Sequence, residues 1–267
     1  MMEDVIAYGE HPLQTIKVFH FDPSIQKTYV FIHGGAWRDI NNTYDDFKPM
    51  IDYFLDNDNI NAIGINYRLS PEFKHPVHLI DIVSAMNFIA DQFTKKVIVV
   101  GHSVGATLIL QLFDFKKIIQ LGIQSLEGND YSFELSSRIQ QDMIELSNQL
   151  KIRTVYLIDG IYDIVELASE YEDYSSFIND AFVSVDHYKH STPVSNKLLK
   201  LDNMDEATRI VVIQSVQDEL LSLKQTNLLV DYFQENNIKY ELIVDKFGKH
   251  EQVYKNLELA QIILAKK

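Results

Sequence analysis

The stretch that most restricts this chain is Lys96–Gly105, KVIVVGHSVG. A short β-branched run reaches Gly101 and passes without a spacer into Gly101-His102-Ser103-Val104-Gly105 and the apolar Ala106–Phe113. Such a run reads as a strand covered on both faces, the habit of parallel sheets. A strand that enters a helix through G-x-S-x-G needs a tight turn with small residues beside the serine. The hydroxyl then stands at the carboxyl end of the strand, over a helix N-terminus that favours negative charge. The bare pattern arises by chance; placed between strand and helix it marks Ser103 as a candidate nucleophile.

The rest of the chain alternates in the same way. Strands are expected at Thr15–His20, Lys27–His33, Asn61–Tyr67, Arg153–Ile158, Arg209–Ser215 and Lys239–Val244. Helices are expected at Met50–Asn57, Pro76–Phe93, Ala106–Phe113, Lys224–Gln234 and Glu251–Ala265. Alternation of this kind predicts an α/β fold, a mostly parallel central sheet with helices on both faces. Gln120–Leu150 and Tyr162–Leu199 break the rhythm and read as excursions above the sheet, the second as a lid. No Gly/Ser/Pro-rich linker divides the chain, so residues 1–267 are expected to form one domain with insertions near 120–150 and 162–199.

Composition narrows the partners. The 267 residues carry a net charge of −14, which opposes nucleic acid and anionic membrane surfaces. There is no cysteine, which excludes thiolate metal sites and a cysteine nucleophile. No apolar run reaches membrane-spanning length and no basic-then-apolar leader opens the chain, so the expected address is the cytoplasm.

A second constellation lies about 70 residues before Ser103. The strand through Tyr29–Ile32 ends in His33-Gly34-Gly35-Ala36-Trp37. Paired glycines after a strand let backbone N–H groups face a substrate oxygen, and one such donor lowers an acyl-transfer barrier by about 2.7–4 kcal/mol. Gly34 and Gly35, with the N–H of Val104 after the nucleophile, are the candidate oxyanion donors. His33 reads as a brace for this loop. Trp37 is a candidate pocket residue that would shorten the acyl site, and Tyr162 is a candidate from the lid.

A serine needs a base, and the base needs a carboxylate to orient it. In strand–turn–helix hydrolases the acid and then the histidine follow the serine. Of His187, His190 and His250, only His250 follows a strand and precedes the final helix. Asp218 follows the strand ending at Ser215; Asp159 and Asp163, after the preceding strand, are alternatives. Asp218 also suits a helix N-cap. His75, His78 and Asp81 have a spacing that could face one metal but lack a metallohydrolase glutamate, and no nucleotide-binding glycine loop occurs. No cofactor and no metal are expected.

With these residues placed, the chain resembles an α/β-hydrolase. Tyr67-Arg68-Leu69-Ser70-Pro71-Glu72 is similar to the Y-R-L-A-P-E segment of hormone-sensitive-lipase-like esterases. His33–Trp37 resembles the H-G-G-x-W motif of the kynurenine formamidases (arylformamidases). The likeness to the fungal, yeast-type members extends through Gly101–Thr107, Asp159–Tyr162, Asp218–Leu221, Lys224–Asn227 and His250–Asn256, and is weakest over Gln120–Leu150. It implies hydrolysis of N-formyl-L-kynurenine to L-kynurenine and formate, a step of tryptophan degradation, with Ser103, Asp218 and His250 as triad. It implies no metal and leaves a homodimer open. The alternative activity is that of a broad carboxylesterase on small acyl esters.

Overall fold

The computed structural model describes residues 4–127, 150–196, 199, 201, 205 and 207–265. Most of the expected excursion at 120–150, namely 128–149, lies outside the described residues, as do 197 and 198 of the second. The strands are β1 (Asp4–Ala7), β2 (Thr15–His20), β3 (Thr28–Ile32), β4 (Asn61–Ile65), β5 (Lys96–His102), β6 (Lys151–Ile158), β7 (Arg209–Ser215) and β8 (Glu241–Asp245). They form one sheet in the order β1-β2-β4-β3-β5-β6-β7-β8. Only β1–β2 and β2–β4 are antiparallel; the remaining pairs are parallel.

Both faces are covered, which explains the unbroken burial of β3 and β4. On one face lie α2 (Val77–Gln92), α3 (Val104–Leu112), α4 (Phe115–Leu126) and α8 (Leu223–Glu235), packed over Val30, Ile63, Val99 and Val155. On the other, α1 (Lys48–Asn57) and α9 (Leu257–Ala265) cover Tyr29, Phe31, Val100 and Ile213. This is the α/β-hydrolase arrangement. Between β6 and β7 stand the short helices α5 (Ile164–Glu170), α6 (Ser175–Ala181) and α7 (Val185–Lys189), inside the stretch expected to form a lid. No described helix is long and apolar enough to cross a membrane.

Several boundaries differ from expectation for identifiable reasons. β1 is a four-residue, largely exposed edge strand with too little pattern to read. α4 reaches Leu126, because Phe115, Ile118, Ile119, Gly122 and Leu126 bury one stripe among polar neighbours. The expected helix Glu251–Ala265 is broken: a 3₁₀ turn, His250–Lys255, precedes α9. Asn256 is extended there and its Oδ1 caps the Leu259 N–H at 2.8 Å.

The Tyr67–Glu72 motif is a scaffold beneath the site. The Asp81 carboxylate has no exposed surface and takes Arg68 Nη2 at 2.6 Å, Arg68 Nε at 2.9 Å and the Arg68 N–H at 2.9 Å. Gln14 Nε2 adds a bond of 2.8 Å from the loop before β2. Removing one member of a buried pair leaves the other uncompensated. Asp81→Ala is therefore expected to destabilise the protein by about 3–5 kcal/mol, read as a lower midpoint in urea unfolding.

Candidate active site

Ser103 sits where β5 becomes α3, with φ of 54° and ψ of −123°. Left-handed backbone at a non-glycine residue is costly and is held here by its surroundings. The Ser103 N–H is tied to the Ile158 carbonyl at 2.9 Å. Close packing explains both motif glycines. A Cβ at Gly101 would lie 2.6 Å from the Gly105 carbonyl oxygen, and one at Gly105 would strike the Ile32 carbonyl.

The β3 loop runs directly against the serine. A Cβ at Gly34 would lie 3.1 Å from the Ser103 Cβ. Gly35 has φ of 91°, and Ala36 and Trp37 are also left-handed at 50° and 59°. The backbone N–H groups of Gly34, Gly35 and Val104 make no hydrogen bond to another described residue. The loop is braced from below: Tyr67 Oη donates to the carbonyls of His33 and Gly34, each at 3.1 Å. His33 stacks on Tyr67 with ring centres 4.5 Å apart, and its Nδ1 contacts the Gly34 carbonyl at 3.0 Å. Burial pushes the His33 pKa down to about 4, which favours the neutral ring.

His250 and Asp218 meet across the loops that follow β8 and β7. His250 Nδ1 lies 2.7 Å from Asp218 Oδ2, and the carboxylate is fully buried. Asp218 Oδ1 accepts the N–H groups of Leu220 and Leu221 at 2.8 and 2.9 Å. Ser215 Oγ ties the two loops by donating to the Gly248 carbonyl at 2.5 Å. Burial acts to lower the His250 pKa, but the hydrogen bond and charge of Asp218, helped by Asp159 and Glu251, outweigh it and raise the value. Ser103, Gly35 and His250 line one open cavity of about 280 Å³, flanked by Tyr174 and Phe177 and by Leu220 and Leu221. Arg38, Asp39 and Glu251 also line it.

This arrangement has the parts of an acyl-transfer site: a hydroxyl on a strained turn, free backbone donors beside it and an oriented imidazole. A family model described as BD-FAE matches residues 22–233. The kynurenine formamidase of Debaryomyces hansenii is 41% identical over 288 residues, spanning 99% of this chain and 99% of that protein. That of Scheffersomyces stipitis is 40% identical over 273 residues, again with 99% of both covered. The chain belongs to the kynurenine formamidase family.

The Saccharomyces cerevisiae formamidase is more distant, 32% identical over 94% of this chain and 92% of its own length. Solved structures show the shared fold. A carbohydrate esterase from gut microbiota matches with a TM-score of 0.68 at 15% identity, over 99% of this chain and 94% of that one. An esterase from Thermogutta terrifontis matches with a TM-score of 0.63 at 15% identity, over 99% and 94%.

Two expected pocket residues lie elsewhere in this chain. Trp37 is 1% exposed and does not line the cavity; its indole packs on Phe177 and Phe182 with ring centres 6.1 and 5.5 Å away. It packs in one buried cluster with Val104, Ile161, Phe177 and Phe182, and so ties the short helices to the loop after β3. Tyr162 is fully buried in the core on the α2/α3 side of the sheet. His75, His78 and Asp81 go to separate partners: His75 faces Phe182 and His187, His78 Nε2 meets Ser70 Oγ at 3.1 Å, and Asp81 holds Arg68. His187 is buried against Phe182, outside the cavity lining.

Other contributors lie inside segments that carried the resemblance, where Glu219, Tyr254 and His102 had no role assigned. Glu219 Oε2 accepts the His250 N–H at 3.0 Å and holds that loop by its backbone. Tyr254 Oη lies 2.5 Å from His102 Nδ1, and the His102 ring sits 4.4 Å from the His250 ring, centre to centre. Asp159, the alternative acid, is also buried there; polar atoms of His102, Asp159 and His250 lie within 4.8 Å of one another. Nδ1 of His102 is engaged by Tyr254, and Nδ1 of His250 by Asp218.

Proposed function

We propose that this chain hydrolyses N-formyl-L-kynurenine to L-kynurenine and formate, with Ser103 as nucleophile, His250 as general base and acid, and Asp218 as its orienting anion. The observation that carries the reading is the convergence of Ser103, Gly35 and the Asp218-paired His250 on one cavity, in a chain of this family. Ser103 Oγ attacks the formyl carbon while His250 Nε2 takes its proton. The carbonyl oxygen becomes an oxyanion opposite the N–H groups of Gly34, Gly35 and Val104. The intermediate collapses, His250 returns the proton to the departing aryl nitrogen, and kynurenine leaves. Water, activated by the same imidazole, then splits the formyl–serine ester and releases formate.

The cavity suits such a substrate. A formyl group needs no acyl pocket beyond the turn at Gly35. Tyr174 and Phe177 offer faces for the aryl ketone. Arg38 is held by its own loop: its N–H bonds to the Gly35 carbonyl at 2.9 Å, and its Nη1 reaches Asp180 at 2.7 Å and Ser176 at 2.8 Å. Its Nε and Nη2 make no hydrogen bond to a described residue, which leaves them for the substrate carboxylate, while Asp39 and Glu251 stand ready for the ammonium. Arg38→Ala is expected to raise KM for N-formyl-L-kynurenine about tenfold, in keeping with one charge-assisted bond, and to change KM for formanilide far less. Steady-state kinetics on the two formamides checks this.

The reading itself is tested by mass spectrometry of the products. Kynurenine and formate are expected in equal amounts, and a serine-directed fluorophosphonate is expected to stop the reaction while adding one label, on Ser103. Turnover that survives full labelling of Ser103, or no release of kynurenine, would overturn it.

A further inference from the structure

We propose that Asp159 is a second carboxylate of the base assembly, a positioning residue that tunes how tightly His250 holds its proton. The inference rests on the assignment of His250 as base. Three observations support it. Asp159 adopts φ of 44°, a left-handed conformation costly for a side chain of this kind, at the carboxyl end of β6. Its Oδ1 is used, accepting the Ser215 N–H at 2.7 Å. Its Oδ2 is fully buried with no hydrogen-bond partner among the described residues, and so is Nε2 of His102 beside it.

A carboxylate used only to cap Ser215 needs one oxygen, and an asparagine would serve. A second buried oxygen left unpaired is a cost that calls for a use. Asp159 shares its small cluster with His102 and His250, so its charge reaches the catalytic ring through protein and not through water.

The charged and titratable groups around the cluster come from every neighbouring loop. Asp218 and Glu219 follow β7, His250, Glu251 and Tyr254 follow β8, and His102 ends β5. Tyr162 lies on the loop after β6, and Tyr174 faces Asp218 and Glu219 from above. Burial, followed by the charge of Asp218, pushes the Asp159 pKa up to about 7, and His250 works against that rise. Asp159 in turn raises the His250 pKa, so the two groups titrate as a coupled pair. With Asp159 neutral, His250 is an easier base to free; with Asp159 charged, the imidazolium is better stabilised during attack.

The consequence is directional. His250 must be neutral to accept the serine proton, so activity falls as pH drops through its raised pKa. Asp159→Asn keeps an oxygen for the Ser215 N–H and removes the charge. The acid limb of kcat/KM is expected to move down by about one pH unit and to sharpen to a single ionisation. The plateau kcat is expected to fall by about tenfold or less, with KM unchanged. NMR of the His250 ring without substrate reads the same effect: two coupled steps in the parent protein, one step at lower pH in Asp159→Asn. This arm is independent of which substrate the enzyme takes. An acid limb and an imidazole titration that do not move in Asp159→Asn would overturn the proposal. Should that variant fail to fold, a single-step His250 titration in the parent protein would overturn it equally.

Discussion

Ser103→Ala is expected to lower kcat on N-formyl-L-kynurenine by about five to six orders of magnitude while leaving the fold intact. The size follows from the loss of the covalent step: with no Oγ, His250 and Asp218 have nothing to activate, and only the oxyanion donors and binding remain. The fold survives because the turn is held by backbone. The Ser103 N–H bonds to the Ile158 carbonyl at 2.9 Å, and its carbonyl accepts the Ala106 N–H at 3.0 Å. Alanine makes both bonds and meets the same left-handed strain at φ of 54°. Stopped-flow kinetics beside a thermal melt checks both halves. Loss of activity together with a large fall in Tm would mean that the hydroxyl is structural.

Asp218→Asn is expected to lower kcat by about 10⁴-fold with substrate binding nearly unchanged. The cause can be read from the donors around the carboxylate. Oδ1 receives the N–H groups of Leu220 and Leu221, while Oδ2 receives Gln214 Nε2 at 3.3 Å and faces His250 Nδ1 at 2.7 Å. The single oxygen of the substituted amide can satisfy the two backbone donors only if its NH₂ turns to His250. Nδ1 must then accept, the ring proton moves to Nε2, and that nitrogen no longer takes a proton from Ser103. Asp159→Asn leaves this tautomer in place, and its far smaller expected loss separates the acid that orients the base from the carboxylate that tunes it. If Asp159→Asn proved the inactive variant and Asp218→Asn did not, the acid assignment would be reversed.

The parts of the site legible in the sequence were those set by local chemistry. A β-branched strand closing on G-x-S-x-G has few backbone solutions, and glycines that would clash with Ile32 or Gly105 if given a Cβ leave a plain signature. Loop order then sufficed to pair His250 with Asp218. The parts that were not legible depend on side-chain direction over long sequence distances. Trp37 adjoins the paired glycines in sequence, yet its ring is buried against Phe177 and Phe182. Tyr162 adjoins the short helices, yet it fills the core on the α2/α3 side. Asp159 and Asp218 were distinguishable by strand order, but that both act on His250 is a property of the packed sheet ends. The break at Asn256 was hidden because Val253, Leu257, Ala260 and Leu264 keep a helical spacing across it.

The most direct measurement is kcat/KM for N-formyl-L-kynurenine beside p-nitrophenyl butyrate on one preparation of the protein. Arg38, Tyr174 and Phe177 line the cavity, and on the proposed reading they serve the carboxylate and aryl ketone of the formamide, with no expected advantage for a longer acyl chain. The expected result is a preference for the formamide of about 100-fold or more, from two or more charge-assisted contacts absent in the ester. Preference for the ester, with little or no release of kynurenine, would contradict the proposed substrate and leave an esterase built on the same nucleophile.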